Sequence, residues 1–475
     1  MKYRIYPNKA NTIASGQFEI FNSSQNQIAD LWYGGGTLQQ NIYRDNSFSR
    51  HLLLFDLTEL QRRISEKEIN PNYVTSYKLK MKNAVPSDKM LEPEFEKNTL
   101  NKNIASSFDL VAFPINQSWD EGRGYDLIEG YNYLNRTGDL TISGTSNWIS
   151  ATTIVSWTQP GIYTNPTAST SFYATQHFEL GSEDLDMNIT DIVKDWLSGG
   201  TINNGIGIAY ARPYELASAN TRYIASFFTH KTNSSFKPYI EVNYDQTIRD
   251  DRNQVTNNRI SRLYLYLFSG NTPTNYYSAS TVSIKNSAGS TIHSGLVPTH
   301  HSKGVYFIDV WMSGTTKGQK YKDVWAGISF NPPYDQQDIT QNFEIKDNYY
   351  TSNARDVNDY VITTYGIDNN AVLQPDENVR VYIDTRINYS NNRPFIEFGL
   401  EYKITMNNNI ELIEWTDVNS AVINGCFKSF IDVDTSWLMT NQNYQINFRI
   451  AELGTKKILS EKIHFKVVER LYPVR

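Results

Sequence analysis

Apolar and polar residues alternate along many short stretches of the chain, and this alternation predicts β-strands that are buried on one face. The sequence YKLKMK puts Tyr77, Leu79 and Met81 on the same face of such a strand. Residues 226–245 contain two apolar-rich runs around a polar turn, and the second run, Tyr239–Tyr244, alternates again. We therefore expect strands at all these places, with the last two completing the first domain.

One stretch follows a helical pattern instead. The sequence TDIVKDWLSGG begins at Thr190, which suits the N-cap position, and Gly199 or Gly200 can adopt the left-handed conformation that ends a helix. Its apolar residues recur at helical spacing: Ile192, Val193, Trp196 and Leu197. A short helix is predicted here, and another over residues 58–64, directly after a compact apolar strand.

Changes of composition divide the chain into three predicted domains. With 475 residues the chain exceeds the roughly 250–300 residues that one hydrophobic core can serve. Residues 245–258 are polar and charged, as in a linker, and they separate residues 1–246 from two further β-rich stretches, 247–352 and 353–475. The predicted fold class is all-β: an N-terminal jelly-roll β-sandwich with a short helix, followed by two immunoglobulin-like β-sandwich domains.

Composition excludes several classes of function. Charged residues make up 20% of the chain and the net charge is −6, so a nucleic-acid partner is not expected. Cys426 is the only cysteine, which rules out an internal disulfide or a cysteine cluster for a metal. We find neither an apolar run of about 18 residues nor an apolar segment of signal-peptide length. We therefore expect no membrane partner and synthesis in a cytoplasm.

The order of several features resembles a known family. An arginine precedes an apolar strand and a short helix, a Trp-x-Glu-like turn follows an alternating strand, and DIVKDWLSGG, NGIGIAY and KPYIEV come after them. This order resembles the DNRLRE-type domain, a jelly-roll sandwich similar to carbohydrate-binding modules, over about half of the chain. The resemblance rests on Arg50, Phe55, Asp56, Trp119, Glu121, Trp196, Gly205, Phe227, Pro238 and Tyr239. It implies that these positions are mostly structural.

Motifs of catalysis are scarce in this sequence. We find no P-loop, dinucleotide-binding glycine motif, HExxH or GxSxG, so we predict no catalytic residue and no cofactor. His300 and His301 are adjacent, an arrangement that does not bring two ligands to one metal, and we interpret them as solvated loop residues. Asp120, Glu121 and Asp126 are the candidates for a calcium loop or a pair of carboxylates. The competing interpretation is a charged loop over a buried tryptophan.

Aromatic residues make up 13% of the chain and are the other candidate contacts. Tyr33, Trp148, Trp157 and Tyr163 lie in or near loops of the first predicted domain, where a ring could stack on a glycan or contact a partner. Core packing is the alternative explanation, since it accounts for most aromatic residues in β proteins.

Rigid sandwiches without recognisable chemistry favour a role in assembly. Jelly-roll and immunoglobulin-like domains in this order look like tail, neck-ring or fibre-attachment proteins of tailed bacteriophages, including the crAss-like group. We therefore predict a non-enzymatic structural protein of a virion, made in the host cytoplasm. Its expected partners are other virion proteins and copies of itself in a symmetric ring, with a surface glycan as a further partner. The alternative is a carbohydrate-binding adhesin or accessory glycan-binding protein, and a glycan hydrolase ranks last.

Overall fold

The computed structural model describes most of the chain. The described residues are 1–16, 19–20, 22–34, 47–84, 107–124, 146–162, 172–215, 222–253, 255–258, 260–276, 281–329, 336–346, 360–387, 399–407, 410–423, 426–452 and 455–468. Strands dominate them, and the helices are α1 (Thr58–Ser65), α2 (Thr190–Ser198) and α3 (Arg212–Glu215). The predicted all-β sandwich fold is confirmed.

The chain forms two compact units. The N-terminal unit comprises residues 3–61 and 74–243, and the C-terminal unit comprises residues 1–2, 62–73 and 244–475. The predicted three-domain division stays a prediction. The contacts add one feature to it, because residues 62–73 belong to the C-terminal unit although they lie early in the chain.

The N-terminal unit is a β-sandwich whose strand order departs from chain order. Its sheets have the orders β2-β4-β9-β6-β7, β1-β11-β5-β8 and β3-β10. The strands are β1 (Lys2–Ile5), β2 (Pro7–Ala14), β3 (Ile28–Gly34), β4 (Ser49–Phe55), β5 (Val74–Met81), β6 (Phe108–Pro114), β7 (Ala174–Phe178), β8 (Leu185–Asn188), β9 (Ile206–Tyr210), β10 (Arg222–Phe228) and β11 (Tyr239–Tyr244). Sequence neighbours such as β10 and β11 thus lie in different sheets.

Aromatic rings fill the space between two of these sheets. Phe108 of β6 stacks on Phe178 of β7 with 5.2 Å between ring centroids. Phe178 meets Phe227 of β10 edge-on at 6.1 Å, and the Tyr210 hydroxyl donates a hydrogen bond to the Leu31 carbonyl of β3. Burying such rings supplies much of the free energy that holds a sandwich together.

Most of the local predictions for this unit hold, with one exception at the start of helix α2. Tyr77, Leu79 and Met81 are all buried on one face of β5. Helix α2 buries Ile192, Val193 and Trp196, as its apolar stripe predicted, and it ends at Gly199 in the left-handed conformation. The predicted N-cap is wrong: Ile189 occupies that position without a side-chain cap, while the Thr190 hydroxyl accepts a hydrogen bond from the Tyr77 N–H of β5.

The first sandwich of the C-terminal unit packs a three-stranded sheet (β12-β18-β17) on a four-stranded sheet (β16-β15-β19-β20). The strands are β12 (Ile260–Tyr266), β13 (Phe268–Ser269), β14 (Thr272–Pro273), β15 (Thr281–Asn286), β16 (Thr291–Leu296), β17 (Thr299–Ser302), β18 (Val305–Trp311), β19 (Lys320–Ile328) and β20 (Gln337–Glu344). Trp325 is fully buried between the two sheets, and β13 and β14 form a small separate hairpin.

The second sandwich has sheets of four strands (β21-β23-β27-β26) and five strands (β22-β29-β28-β24-β25). The strands are β21 (Tyr360–Tyr365), β22 (Ala371–Leu373), β23 (Asn378–Ile387), β24 (Leu400–Met406), β25 (Ile410–Asp417), β26 (Asn419–Ile423), β27 (Cys426–Asp434), β28 (Gln442–Glu452) and β29 (Thr455–Val467). The short strand β22 pairs in parallel with β29. The other strand pairs described in these two sheets are antiparallel.

The two sandwiches of the C-terminal unit share a buried contact. Tyr264 and Phe307 of the first sandwich join Ala421 and Phe430 of the second in one apolar cluster, which Ile248 completes. Ile248 lies in the stretch that the sequence predicted as a polar linker. That interpretation missed its packing, because the stretch carries few apolar residues yet buries them between two sheets.

Residues 62–73 are tied to both sandwiches by polar contacts. Arg63 pairs with Asp434 of β27, and the Lys303 ammonium contacts Glu66 at 2.5 Å and Glu68 at 2.8 Å. The Asn70 side-chain amide donates to the backbone carbonyl of His301 at 2.7 Å. This segment is therefore a structural part of the C-terminal unit.

The histidine pair is not a solvated loop, which corrects the sequence interpretation. Both residues lie in β17, where His301 is buried against the rings of Tyr73 and Tyr264, with centroids at 4.9 and 5.6 Å. His300 points elsewhere and stacks on Tyr306 at 4.5 Å. The rings that bury His301 come from Tyr73 and Tyr264, which lie far away in the chain, and local composition therefore gave no sign of its burial.

None of the helices in the described part of the chain has the length and apolar character that a membrane crossing requires.

Candidate interaction site

Most of the predicted contact residues converge on one region of the N-terminal unit. Trp119, Trp148 and Trp157 belong to one buried cluster with Ile13 and Leu52. Trp148 and Trp157 belong to the loop of residues 146–162, which we call the braced loop, and this loop packs against Ile13 and Leu52. Tyr33 is linked to the cluster through Phe48, whose ring lies 6.4 Å from that of Tyr33 and 5.0 Å from that of Trp148. Tyr163 and Asp126 lie outside the described residues.

Tyr33, Trp148 and Trp157 do not face solvent, which corrects the expectation that these three rings offer stacking surfaces. Tyr33, Trp148 and Trp157 are only 7%, 8% and 4% exposed. The Trp157 indole N–H donates to the Asn147 carbonyl at 2.7 Å, and the Trp148 ring lies against the Arg50 guanidinium at 4.6 Å. Because the faces of these rings are buried against other side chains, a glycan cannot stack on them.

The acidic candidates form a charge-compensated contact. The Glu121 carboxylate lies 2.9 Å from the His230 ring and 3.4 Å from the Lys231 ammonium, and it accepts the Ala10 N–H at 3.1 Å. Burial opposes the charge of Glu121, but the hydrogen bonds from His230 and Ala10 outweigh it and lower the pKa of the carboxyl. Asp120 contributes its backbone to the loop contacts. In the described part of the chain no cluster of three or more acidic, histidine or cysteine side chains could hold a metal ion. Because Asp126 lies outside those residues, the calcium-loop interpretation stays a prediction.

Backbone hydrogen bonds fix the shape of the braced loop. Asn147 Oδ1 accepts the N–H groups of Ile149 and Ser150 at 2.9 and 2.7 Å, which closes a tight turn. The Trp157 N–H donates to the Ile149 carbonyl at 2.9 Å, and Ser150 and Ser156 form an antiparallel bridge. The loop is thus compact and is held by its own turns and by one antiparallel bridge.

Arg50 of β4 connects the braced loop to helix α3. Its guanidinium makes a bidentate contact with Glu215 of α3 at 2.9 and 2.7 Å, and its third nitrogen donates to the Gly161 carbonyl at 2.6 Å. Gly161 adopts a φ of +74°, and a Cβ there would stand 2.4 Å from the Trp148 ring. Only glycine fits between the arginine and the tryptophan, so the sequence GI at 161–162 is part of the brace.

The tip of the braced loop exposes two apolar side chains. Ile154 is 91% exposed and Val155 is 46% exposed. The turn that carries them is closed, because the N–H groups of Ala151 and Thr152 both donate to the Val155 carbonyl, at 2.8 and 3.1 Å. A rigid turn with an apolar tip loses little conformational entropy when it inserts into a partner, which makes it suited to protein contact.

The sequence singled out Trp148 and Trp157 as candidate contacts rather than as buried anchors, and the exposed tip at Ile154 and Val155 was not predicted. The dipeptide Ile154-Val155 lies between two tryptophans, and apolar residues in such a stretch are more often buried than exposed. The role of Arg50 was equally hidden, because Glu215 lies 165 residues away in the chain. A signal was present in the run SATT before Ile154, whose small polar residues favour turns over strands.

Comparisons with known proteins add no family. No protein-family model matches the chain, and no curated protein matches it. Among solved structures it is similar to a mutant of Salmonella alpha-2-macroglobulin, with 7% identity and a TM-score of 0.17 over 53% of this chain and 18% of that one. Domains 5–6 of the S-layer protein SbsC give 12% identity and a TM-score of 0.18, over 47% of this chain and 94% of that one.

The N-terminal Ig1-2 module of the Drosophila receptor protein tyrosine phosphatase DLAR is a further match, with 12% identity and a TM-score of 0.14 over 47% of this chain and 97% of that module. TM-scores of this size carry no functional argument. The fold description given above therefore rests on the strands and their pairing.

Proposed function

We propose that this protein is a non-enzymatic structural subunit that acts through contacts with copies of itself and with other proteins of an assembly. The observation that carries the proposal is the braced loop, whose buried tryptophans and Arg50 hold Ile154 and Val155 in solvent. Exposed apolar groups on a rigid loop favour binding to another protein. The loop is already ordered by folding, so it loses little conformational entropy when it binds.

The setting that we propose is the tail or neck ring of a bacteriophage virion. That part of the proposal rests on the resemblance of the domain order described from the sequence. The buried contact between the two sandwiches of the C-terminal unit supports this setting, because Tyr264, Phe307 and Phe430 pack in one shared cluster. Two domains that pack in this way can move as one body when neighbouring subunits pull on them. The adhesin alternative has less support, because three of its four candidate stacking rings, Tyr33, Trp148 and Trp157, are buried.

The test replaces the apolar tip and follows the oligomeric state. The full chain is examined by mass photometry and electron microscopy, beside the double variant Ile154→Ser with Val155→Ser. Leu180→Ser is the matched control, since Leu180 is 65% exposed in the same unit but lies outside the braced loop. We expect a ring-like oligomer for the wild type and the control, and a shift to smaller species for the tip variant at an unchanged melting temperature.

A monomeric wild-type chain that is also absent from purified particles by mass spectrometry would overturn the proposed function. An oligomer that forms equally well with the tip replaced would keep the assembly role but remove the braced loop from it.

A further inference from the structure

One face of the first sandwich of the C-terminal unit is only partly covered. In the pairing of β12 with β18, Tyr264 stands opposite Phe307, and both rings are buried against the second sandwich. Four residues away on each strand, Ile260 stands opposite Trp311, and these side chains are 60% and 50% exposed. Residues an even number apart share one face of a sheet. The contact between the sandwiches therefore covers one end of this face and leaves an apolar pair at the other end.

An ion pair marks the boundary between the covered and the open part of this face. Arg262 and Asp309 stand opposite each other between the two apolar pairs, and they make a bidentate contact at 2.7 and 2.8 Å. The Arg262 guanidinium also lies over the Phe307 ring, 4.0 Å from its centroid. Both charged side chains are partly exposed. We call Ile260, Trp311, Arg262 and Asp309 the open patch.

Trp311 differs in exposure from the other tryptophans of this chain. The structure describes all nine, and seven of them are at most 8% exposed. Trp415 is half-buried, with Lys403 and Arg449 over its ring at 5.1 and 4.4 Å from the centroid. Tryptophan is enriched among the residues that contribute most to protein interfaces, and exposed apolar neighbours mark such surfaces. The pair of Trp311 and Ile260 on a rigid sheet therefore indicates a protein contact.

The edge of β12 is not open to another strand, although β12 is an edge strand of its sheet. The Asp251 carboxylate accepts the Arg262 N–H at 2.8 Å, and the Arg252 guanidinium donates to the Tyr264 carbonyl at 2.8 Å. These backbone groups are the ones through which a partner would add a strand. At β12 a partner is therefore offered the side chains of the open patch.

We propose that the open patch binds the open patch of a second copy of this chain in a two-fold contact. A two-fold contact brings the same surface of each copy together, so the surface must not repel itself. The open patch meets this condition, because Arg262 and Asp309 give it one positive and one negative charge. It also continues a face that already packs against a β-sandwich at its other end. Ile260 begins β12 and Trp311 ends β18, so the patch lies at the end of the strands that is farther from that packed sandwich.

The open patch is small, so the contact between two isolated copies is expected to be weak. One tryptophan and one isoleucine per copy bury far less than the roughly 800 Å² per partner of a standard interface. We expect a dissociation constant of about 10–100 μM for the isolated pair. In a ring of copies several such contacts act together, which raises the overall affinity.

The test uses the full chain and starts from the tip variant, because that variant lacks the contact assigned to the braced loop. Sedimentation velocity is recorded from about 1 to 200 μM, and we expect a monomer at the lowest concentration and a dimer at the highest. Adding Trp311→Ser should weaken this dimer at least tenfold. Val297→Ser is the matched control, since Val297 is 77% exposed in the same sandwich but lies outside β12 and β18.

Charge exchange on the rim tests whether the patch meets itself. In the same background, Arg262→Asp gives the patch two negative charges and Asp309→Arg gives it two positive charges. Each chain alone should dimerise at least tenfold more weakly, because like charges then face each other. An equal mixture of the two chains should associate again. Melting temperatures measured beforehand confirm that both chains are folded.

The inference is overturned if the tip variant is a monomer at every concentration, or if Trp311→Ser leaves its dimer unchanged. A mixture of the two folded charge variants that does not associate would also overturn it. If Trp311→Ser abolishes incorporation into particles while the tip variant stays monomeric, the patch binds a different protein and the inference is wrong.

The inference deepens the proposed assembly role and rests on it, yet the two fail in different ways. A wild-type ring whose tip variant is monomeric keeps the assembly role and removes the two-fold contact. A Trp311-dependent dimer in a chain that is absent from purified particles keeps the contact and removes the proposed setting.

Discussion

Arg50 and Arg252 are both almost fully buried and both meet a carboxylate, yet they hold different kinds of structure together. Arg50 joins a strand, a loop and a helix within one sandwich, through Glu215 and Gly161. Arg252 lies between two sandwiches, in the 3₁₀ turn Asp251–Asn253. The same side chain thus fixes a local loop in one unit and a domain junction in the other.

The contacts of Arg252 explain how the junction is built. Its guanidinium pairs with Asp323 of β19 and donates to the Tyr264 carbonyl of β12 at 2.8 Å, both in the first sandwich. Asp250, two residues earlier, accepts the Val422 N–H of β26 in the second sandwich at 3.3 Å. Asp323 also accepts the Trp325 indole N–H at 2.6 Å. One short segment therefore connects the cores of both sandwiches.

Burying a charge costs desolvation energy, and a buried ion pair offsets that cost only when every polar group is met. A buried ion pair favours one arrangement of the chain, because other arrangements leave a buried charge without a partner. In both units the arginine therefore selects one arrangement of the chain. The two sites predict different consequences when the carboxylate is removed.

The largest effect is expected for Asp323→Ala, which leaves Arg252 charged and without its main partner in the core. We expect the C-terminal unit to lose about 3–5 kcal/mol of unfolding free energy in urea. Asp309→Ala is the matched control, since Asp309 pairs with Arg262 on an exposed face of the same sandwich and should cost no more than about 1 kcal/mol. Equal losses in the two variants would contradict the role given to Arg252.

A smaller effect, confined to the other unit, is expected for Glu215→Gln. This change keeps the side-chain shape but removes the charge that faces Arg50, and we expect a loss of about 2–3 kcal/mol. The loop should loosen first, because Arg50 also holds Gly161. Limited proteolysis should then cut within residues 146–162 faster than in the wild type. Unchanged proteolysis there would show that the braced loop does not depend on this pair.

Acidification should weaken both units through buried neutral histidines. Burial lowers the pKa of His51 to about 3, with a further contribution from His230, and burial lowers that of His301 to about 4. Because the folded pKa lies below the unfolded value of 6.5, the stabilisation is present above pH 6.5 and is lost as pH falls toward the folded value. At pH 5 we expect each histidine to lower the free energy of unfolding by about 2 kcal/mol relative to its value well above pH 6.5.

Calorimetry at pH 7 and pH 5 checks this expectation with His51→Gln and His301→Gln. His51 faces Thr12, Asn11 and His230, and its Nδ1 lies 3.0 Å from the Thr12 hydroxyl. Each variant should flatten the pH dependence of its own unit and leave that of the other unit unchanged. A wild-type stability that does not fall between pH 7 and pH 5 would contradict the assignment.

The sequence predicted those parts of the fold whose cause is local. Helix α2 was found because its apolar stripe, its acidic first turn and Gly199 lie within eleven residues, and β5 was found because Leu79 and Met81 alternate with lysines. The burial of Trp148 and His301 was not found, since it depends on partners such as Arg50 and Tyr73 that lie far away in the chain. The candidate site shares this limit, because whether a loop exposes Ile154 or Trp148 is decided by tertiary packing.

Residues 62–73 have a consequence for how this protein can be made and rearranged. During synthesis this segment leaves the ribosome long before Asp434 and Lys303, the partners that it must meet. The C-terminal unit therefore matures late, by long-range closure, which slows folding. For the same reason residues 247–475 alone do not contain the whole C-terminal unit. A fusion protein that carried only these residues would lack residues 62–73, which belong to the same unit.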